Sequence, residues 1–281
     1  MKNGYLESVI YDYDKNFVSY WEGIFSSFSS HNSGDRVWFA GPSAYVFAFG
    51  GEKFAMDLQI RRQSDFEKIK PRLHDFVKDV SFVLITHQHD DHMCIPLMRE
   101  LKDTNIRWYI PHDCSRHLIE SSGLKDKNII KVKPGDVFEI GNLTVKAFHS
   151  PHVRADENEL FAQRGYEISS HGKKLLFPGD VRDYDFSDYP DFGNVDICFS
   201  HLWAGNDSIN ESLYMPMLKK FADFNSAFHA KKYFLCHLYE LGREEKYLWS
   251  YKHAGIAKDM FYGNIPESTI EIPKLGNSYE L

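Results

Sequence analysis

The sequence predicts a mixed fold of class α+β, in which two β-sheets face each other and helices pack on their outer sides. Short runs of β-branched and aromatic residues outnumber the helical patterns. Several consecutive runs are separated only by turn sequences such as KPGD at residues 133–136. Helical patterns stand between only some of the runs, which favours layered sheets over a strictly alternating chain of strands and helices.

The predicted elements follow from apolar alternation and from turn residues. The predicted strands are residues 37–39, 45–49, 54–57, 80–85, 106–110, 129–132, 137–140, 143–148, 165–169, 174–177, 195–199 and 232–236. The predicted helices are residues 64–77, 92–102, 113–122, 211–228 and 243–261, with Pro71 perturbing the first and Gly123 ending the third. No linker or repeat divides the chain, so we expect a single domain over residues 1–281.

Composition excludes several classes of protein. The 281 residues are 43% hydrophobic and carry a net charge of −7, so no general basic field attracts nucleic acid, which argues against such a partner. No stretch of about 18 apolar residues predicts a membrane span. The four cysteines form no CxxC motif, which together with the polar N-terminus predicts a cytoplasmic protein. Aromatic residues near the N-terminus favour core packing, with a lid or a homo-oligomer interface as alternatives.

The segment THQHDDH at residues 86–92 directly follows an apolar run. Imidazole and carboxylate groups are ligands for borderline divalent metals. Alternation places His87 and His89 on the same side of an extended segment, and the turn that follows brings Asp91 and His92 back beside them. A histidine-rich polar loop is the alternative, but the complete HxHxDH pattern favours a metal site that can serve two ions.

Other apolar runs also end in histidine or aspartate. The run LTVKAF precedes His149 and His152, KKLLF precedes Asp180, VDICF precedes His201, and KKYFLC precedes His237. Because neighbouring strand ends meet at one edge of a layered fold, these side chains are expected to converge. For Asp180 taken alone, the alternative is an ordinary turn. For His201 taken alone, the alternative is a hydrogen-bonded histidine near the core.

These motifs resemble the metallo-β-lactamase superfamily, and the resemblance extends from Asp57 to His237. It implies a four-layer αββα sandwich with the metals at one edge. Asp57, which ends the predicted strand FAMD, matches the early strand-end aspartate that orients the metal-binding loop in this family.

The resemblance also implies a set of metal ligands. Metal site one would use His87, His89 and His152, with His149 as the alternative third ligand. Metal site two would use Asp91, His92 and His237, and Asp180 would bridge the two ions. The implied nucleophile is a hydroxide shared by the metals, with Asp91 orienting the attacking water. Zinc is the first expectation for both ions, and manganese or iron remain open.

Sequence details favour one branch of the superfamily. The sequence HQHDD at residues 87–91 departs from the HxExD pattern of the oxygen-reducing di-iron branch, which weakens a redox function. The segments ITHQHDDH, KVKPGD and LLFPGDVRDY resemble the L-ascorbate phosphate lactonases. The SPH sequence that ends at His152 and the acidic stretch at residues 155–161 depart from that branch and leave the substrate open.

Arginine and aromatic residues near the predicted ligands are candidate substrate contacts. A guanidinium beside two metals suits a carboxylate or phosphate, and a surface arginine is the alternative for each. An aromatic side chain could form a wall of the site, with core packing as the alternative. His201 is a candidate for protonating the leaving group. The predicted substrate-binding residues are Arg154, Arg164, Arg182, Trp203 and Tyr239.

Together these features predict a dinuclear metal-dependent hydrolase that acts on an ester-like, lactone or phosphoester bond of an anionic small molecule. One alternative is an iron-dependent redox enzyme or oxygenase of the same superfamily. Others are a phosphodiesterase acting on nucleotides or RNA, and a metal-binding module without catalysis.

Overall fold

The structure of the protein is a computed structural model that describes residues 4–60, 63–153, 160–187, 189–240 and 243–281. The chain forms two compact units. Unit 1 comprises residues 1–131 and 274–281, and unit 2 comprises residues 132–273. Each contributes a seven-stranded sheet with helices, and this mixed architecture confirms the predicted fold class. This division into two compact units does not test whether the chain is a single domain, so the single domain over residues 1–281 stays a prediction.

Unit 1 combines an antiparallel and a parallel region in one sheet. Its strands are β1 (Arg36–Phe39), β2 (Tyr45–Phe49), β3 (Glu52–Met56), β4 (Phe82–Leu84), β5 (Arg107–Pro111), β6 (Ile129–Val132) and β16 (Ser278–Glu280), in the spatial order β16-β1-β2-β3-β4-β5-β6. Strands β16, β1, β2 and β3 pair antiparallel, whereas β3, β4 and β5 pair parallel. The helices are α1 (Gly4–Ser29), α2 (Gln63–Phe76), α3 (Ile95–Glu100) and α4 (Arg116–Ser122).

Aromatic packing holds the helices of unit 1 to its sheet. The ring of Phe28 in α1 lies 5.0 Å from Phe76 in α2 and 5.2 Å from Trp38 in β1. Within the sheet, Phe54 stacks on Phe82 of the neighbouring strand at 4.8 Å. Such pairs add to the free energy gained from burying the rings. Phe17 and Trp21 of α1 are also buried, which confirms core packing for this part of the N-terminal aromatic segment.

Unit 2 is built on the same plan. Its main strands are β7 (Val137–Ile140), β8 (Leu143–His149), β11 (Arg164–Ser170), β12 (Lys173–Gly179), β13 (Ile197–His201), β14 (Lys232–Cys236) and β15 (Thr269–Glu271), and β9 (His152–Val153) pairs with β10 (Leu160–Phe161). Strands β7, β8, β11 and β12 are antiparallel, whereas β12 to β15 are parallel. The helices are α5 (Glu211–Ser226) and α6 (Tyr251–Asn264).

The predicted strands are all present, with differences of a few residues at their ends. Helix α3 starts later than predicted because residues 92–94 still lie in the turn and bend that precede it. The predicted helix 243–261 is divided into a 3-10 helix, Glu245–Tyr247, and α6, which begins after a capping box at Ser250. The prediction missed α1, β9, β10, β15 and β16. Within the described residues, no helix combines the length and apolarity that crossing a membrane requires.

Candidate metal centre

In unit 1 the candidate ligands lie in the loop that leaves strand β4. The backbone N–H groups of His92 and Met93 both donate to the carbonyl of His89, at 3.0 and 2.7 Å. This tight turn brings Asp91 and His92 back toward the strand end. His87, Asp91 and His92 are buried, so their donor atoms are withdrawn from bulk water.

Asp57, directly after β3, anchors this loop. Its Oδ1 accepts a hydrogen bond from the Thr86 N–H at 2.7 Å, and its Oδ2 accepts one from the Thr86 hydroxyl at 2.7 Å. The same Oδ2 lies 2.7 Å from Nδ1 of His92. With Nδ1 donating to Asp57, Nε2 is the nitrogen of His92 that can bind a metal. Asp57 thus holds the backbone of Thr86 and the ring of His92, and its implied role in orienting a metal-binding loop stays a prediction.

Two pairs of donor atoms in this loop have the spacing of metal ligands. Nε2 of His87 lies 3.0 Å from Nδ1 of His89, and Oδ2 of Asp91 lies 3.7 Å from Nε2 of His92. A tetrahedral ion bound at about 2.1 Å keeps its ligand atoms roughly 3.4 Å apart. Each pair therefore fits one ion. The implied assignment places His87 and His89 at one ion and Asp91 and His92 at the other, and it stays a prediction.

Ser43 and Gln59 also hold the loop, and the sequence gave no signal for either residue. The buried Ser43 hydroxyl donates a hydrogen bond to the backbone carbonyl of Asp91, and the Gln59 amide donates to the same hydroxyl at 3.0 Å. A serine and a glutamine in connecting segments carry no metal-ligand pattern. Only the folded chain shows that they fix the backbone at Asp91.

In unit 2 the candidate ligands lie at the carboxyl ends of three neighbouring parallel strands. Asp180 follows β12, His201 ends β13 and His237 follows β14. The register pairs Gly179 with Ser200 and His201 with Cys236, so the three side chains emerge side by side. One donor atom from each of the three lies within 4.8 Å of the others. All three side chains are buried.

Within this cluster His201 and His237 contact different oxygens of Asp180. Nδ1 of His201 lies 2.7 Å from Oδ1, a hydrogen-bond distance, whereas Nε2 of His237 lies 3.4 Å from Oδ2. The longer distance fits two ligands of one ion, and the shorter one fits a donor that holds the carboxylate. The two histidines thus contact Asp180 differently, and the assignment of His237 as a metal ligand stays a prediction.

Glu240 is a further member of the cluster that the sequence reasoning missed. Its buried carboxylate has Oε1 3.5 Å from Nδ1 of His237, and its Oε2 accepts a hydrogen bond from Nε of Arg243 at 2.8 Å. A carboxylate on this side of the ring favours a proton on Nδ1 and leaves Nε2 for a metal. The backbone of His237 has a φ of 64°, a strained value of the kind found at functional sites.

The two candidates for the third histidine differ in burial. His152 starts β9 and is fully buried, whereas the side chain of His149 is exposed at the end of β8. A ligand in a site closed to solvent has to be buried, which favours His152. The assignment of His152 as a metal ligand stays a prediction.

Arg182 and Trp203, both predicted to contact substrate, lie together. The Arg182 guanidinium is 5.4 Å from the centre of the Trp203 ring. The hydroxyl of Tyr184 donates to the backbone carbonyl of Trp203. Desolvation raises the pKa of Tyr184 well above its ordinary value, so this hydroxyl keeps its proton at neutral pH. Arg182, which stands two residues past Asp180, thus forms a cation–π pair with Trp203, and the Tyr184 hydroxyl holds the backbone of that tryptophan.

The other predicted substrate contacts have structural partners or lie outside the described residues. Arg164 is buried and donates to the backbone carbonyls of Val132 and Gln163 at 3.2 and 2.7 Å. Tyr239 is buried, and its hydroxyl accepts a hydrogen bond from the backbone N–H of Tyr251. These contacts serve the fold, and substrate binding by either residue stays a prediction. Arg154 lies outside the described residues.

Comparison with known proteins gives one family match. The model of the family described as a β-lactamase superfamily domain matches residues 27–237, which is most of the chain. Among curated protein sequences, none matches this chain.

Several solved structures have a similar fold. CmlA, a diiron β-hydroxylase from Streptomyces venezuelae, has a TM-score of 0.65 at 15% identity over 89% of this chain and 55% of its own. The chain thus spans about half the length of CmlA. YhfI from Bacillus subtilis, a metallo-β-lactamase fold protein, has a TM-score of 0.60 at 15% identity over 88% of this chain and 98% of its own. Igni18, a metallo hydrolase from Ignicoccus hospitalis, has a TM-score of 0.57 at 15% identity over 89% and 100%.

Proposed function

We propose that this chain, which belongs to the β-lactamase superfamily, uses two divalent metal ions to hydrolyse an ester-like, lactone or phosphoester bond in an anionic small molecule. At the level of the superfamily the chain is a metal-dependent hydrolase. The number of ions and the kind of bond are the steps beyond that level. The observation that carries the proposal of two ions is the spacing of two donor pairs within one loop, His87 with His89 and Asp91 with His92.

We assign seven ligands to the two ions. His87, His89 and His152 would hold the first ion, Asp91, His92 and His237 would hold the second, and Asp180 would contribute to both. The contacts of unit 1 support the division of its four ligands into two pairs. In unit 2 the distance of 3.4 Å between Asp180 and His237 supports their sharing an ion. Burial supports His152 over His149.

The donor set favours zinc. Imidazole and carboxylate groups suit this ion, and manganese or iron accept the same ligands. Thiolate has no part in the assignment. Burial raises the pKa of the Cys198 thiol to about 12, so this cysteine stays protonated and is a poor ligand at neutral pH.

Bound divalent ions supply hydroxide at neutral pH and polarise the oxygen of the scissile group. Residues of the chain then orient the reacting groups. Asp91 binds an ion and directs the proton of the attacking water through its carboxylate. Nδ1 of His201 donates to Oδ1 of Asp180 at 2.7 Å, so the Asp180 carboxylate fixes the orientation of this ring. We assign the protonation of the leaving oxygen to an Nε2–H of the same ring.

The Arg182 and Trp203 pair supports an anionic substrate. In a chain of net charge −7, a guanidinium that lies against the Trp203 ring and follows Asp180 by two residues is a local cationic feature. Within the described residues, Nε of Arg182 is buried and has no hydrogen-bond partner. A guanidinium in this state gains most from a bidentate contact with carboxylate or phosphate.

Metal analysis with activity assays tests the proposal. We expect two zinc or manganese ions per chain in protein purified without added metal, together with hydrolysis in a panel of phosphodiesters, phosphomonoesters and lactones. Arg182→Met should raise KM for the anionic substrates more than it lowers kcat. CmlA is a diiron enzyme, so one or two iron ions without hydrolysis would overturn the proposal in favour of a redox enzyme.

A further inference from the structure

Gln163, directly before strand β11, connects two parts of unit 2 that carry candidate ligands. The side chain is 1% exposed. Its Oε1 accepts a hydrogen bond from the backbone N–H of Asp180 at 3.0 Å, and its Nε2 lies 3.4 Å from the carbonyl of the same residue. One amide therefore contacts both backbone polar groups of Asp180, the residue assigned to both ions.

The same amide also contacts the turn that leads to His152. Nε2 of Gln163 donates to the hydroxyl of Ser150 at 3.1 Å. The buried Ser150 hydroxyl donates in turn to the backbone carbonyl of Pro178 and lies 3.0 Å from the hydroxyl of Tyr189. Ser150 stands two residues before His152. The amide thereby ties the turn that carries one candidate ligand to the strand end that carries another.

Gly179 shows how closely the glutamine approaches the backbone at this point. Its φ is +80°, and a Cβ placed there would lie 2.8 Å from Cδ of Gln163. Real Cβ contacts of this length essentially do not occur, so any other residue displaces the amide or the strand end. Position 179 therefore requires glycine for two reasons, which are its positive φ and the close approach of the Gln163 side chain.

We propose that Gln163 is a positioning residue that holds Asp180 and the turn before His152 in the arrangement that binds metal. The inference rests on the proposed function, because Asp180 and His152 have ligand roles only there. Metal ligands have to be held within about 0.5 Å of their working geometry, and groups behind the ligands supply that precision. A buried amide that contacts both segments meets this requirement.

Substitutions at Gln163 test the proposal through metal affinity. Gln163→Met keeps the length of the side chain and removes its hydrogen bonds. Gln163→Glu keeps an acceptor for the Asp180 N–H but loses the donor to Ser150. The matched control is Asn225→Leu, which removes a buried amide of α5 that donates to the carbonyl of Phe221 at 2.8 Å. Each variant is titrated with Zn²⁺ against a chromophoric chelator, and its Tm is measured in the metal-free state.

We expect Gln163→Met to weaken the binding of at least one zinc ion by about 10- to 100-fold. Gln163→Glu should have an intermediate affinity, and Asn225→Leu should lower Tm without changing zinc affinity. Wild-type affinity in Gln163→Met, with a fall in Tm like that of the control, would show that Gln163 only stabilises the fold. If Gln163→Met fails to fold, wild-type affinity in Gln163→Glu overturns the proposal in the same way.

Asp180→Ala, titrated in parallel, separates this inference from the proposed function. Unchanged zinc affinity in Asp180→Ala means that the ligand assignment itself is wrong. Loss of zinc in Asp180→Ala with wild-type affinity in Gln163→Met leaves the proposed function intact and rejects only the positioning role.

Discussion

The two units of the molecule place candidate ligands with the same device. In each, a carboxylate just past a parallel strand holds an imidazole Nδ1 at 2.7 Å, through Asp57 and His92 in unit 1 and through Asp180 and His201 in unit 2. The two pairs differ in which residue, the histidine or the aspartate, is assigned as the metal ligand. His92 is the assigned ligand in the first pair, and Asp180 is the assigned ligand in the second.

A glutamine and a serine form a second device that both units share. Gln59 donates to the Ser43 hydroxyl, which donates to the carbonyl of Asp91. In unit 2 the Gln163 amide donates to Ser150, which donates to a carbonyl at the end of β12. In both units a buried amide and a hydroxyl fix the backbone beside an assigned ligand.

The units differ in how the chain supplies the ligands. Unit 1 places four in the single loop that holds His87 and His92, so local conformation determines most of their spacing. Unit 2 brings the assigned ligands Asp180 and His237 from separate strands, with His201 on the strand between them, and the parallel register aligns all three. A contiguous motif is therefore evident in the sequence, whereas a distributed one depends on how strands pair.

The largest expected effect is the loss of metal and turnover in a variant of Asp180, which distinguishes this carboxylate from that of Asp57. Asp180→Ala removes a ligand assigned to both ions, so metal content should fall to one ion or none and turnover by at least about 100-fold. Asp57→Asn should retain both ions with affinity lowered by about 10- to 100-fold, since it only disturbs the orientation of His92. It should also reduce the free energy of unfolding by about 1–3 kcal/mol, because buried donors lose their acceptor.

The measurements are metal stoichiometry by mass spectrometry and denaturant unfolding. Asp196→Ala is the matched control, since Asp196 accepts a hydrogen bond from the Lys174 N–H at the opposite end of the same parallel strands. It should lower stability and leave metal content unchanged. Equal metal loss in Asp57→Asn and Asp180→Ala would contradict the difference in role.

An intermediate effect tests the third histidine. His152→Ala should lose one of the two ions, because a buried ligand is removed from one site. His149→Ala should keep both ions, because this side chain is exposed on β8. Metal content of the two purified variants, measured side by side, decides between them. Loss of metal in His149→Ala alone reverses the assignment.

The smallest expected effect is a change of the free energy of unfolding with pH, caused by a buried histidine of unit 2. Burial lowers the pKa of His253 in α6, partly opposed by its hydrogen bond with the carbonyl of Ser208 at 2.8 Å. The unfolded chain binds a proton near the ordinary pKa of about 6.5, whereas folded His253 stays neutral to lower pH. The free energy of unfolding should therefore fall as pH decreases below about 6.5, until the lower folded pKa is reached.

Urea unfolding of the metal-free protein between pH 7.5 and 5 measures this slope, and His253→Gln should reduce it. The control is His117→Gln, which changes an exposed histidine of α4 in unit 1. A slope that is the same in wild type and His253→Gln would show that other groups account for the acid sensitivity.

The sequence alone predicted the strands and the HxHxDH motif, because both depend on short-range patterns. Apolar alternation marks a strand wherever it folds, and four ligand side chains within six residues have few other uses. The sequence missed α1, whose aromatic residues find their partners in α2 and β1. It also missed β9, β10, β15 and β16, which are too short to show a pattern.

What the sequence determined by itself is the chemistry of the ligands and their position after apolar strands. Only the tertiary structure decided that His201 contacts Asp180 at a hydrogen-bond distance while His237 does so at a ligand spacing. Only it identified Gln59, Gln163 and Glu240 as supports. The reason is physical: the side-chain type fixes which atoms can bind a metal, whereas strand register and backbone conformation fix which of those atoms meet.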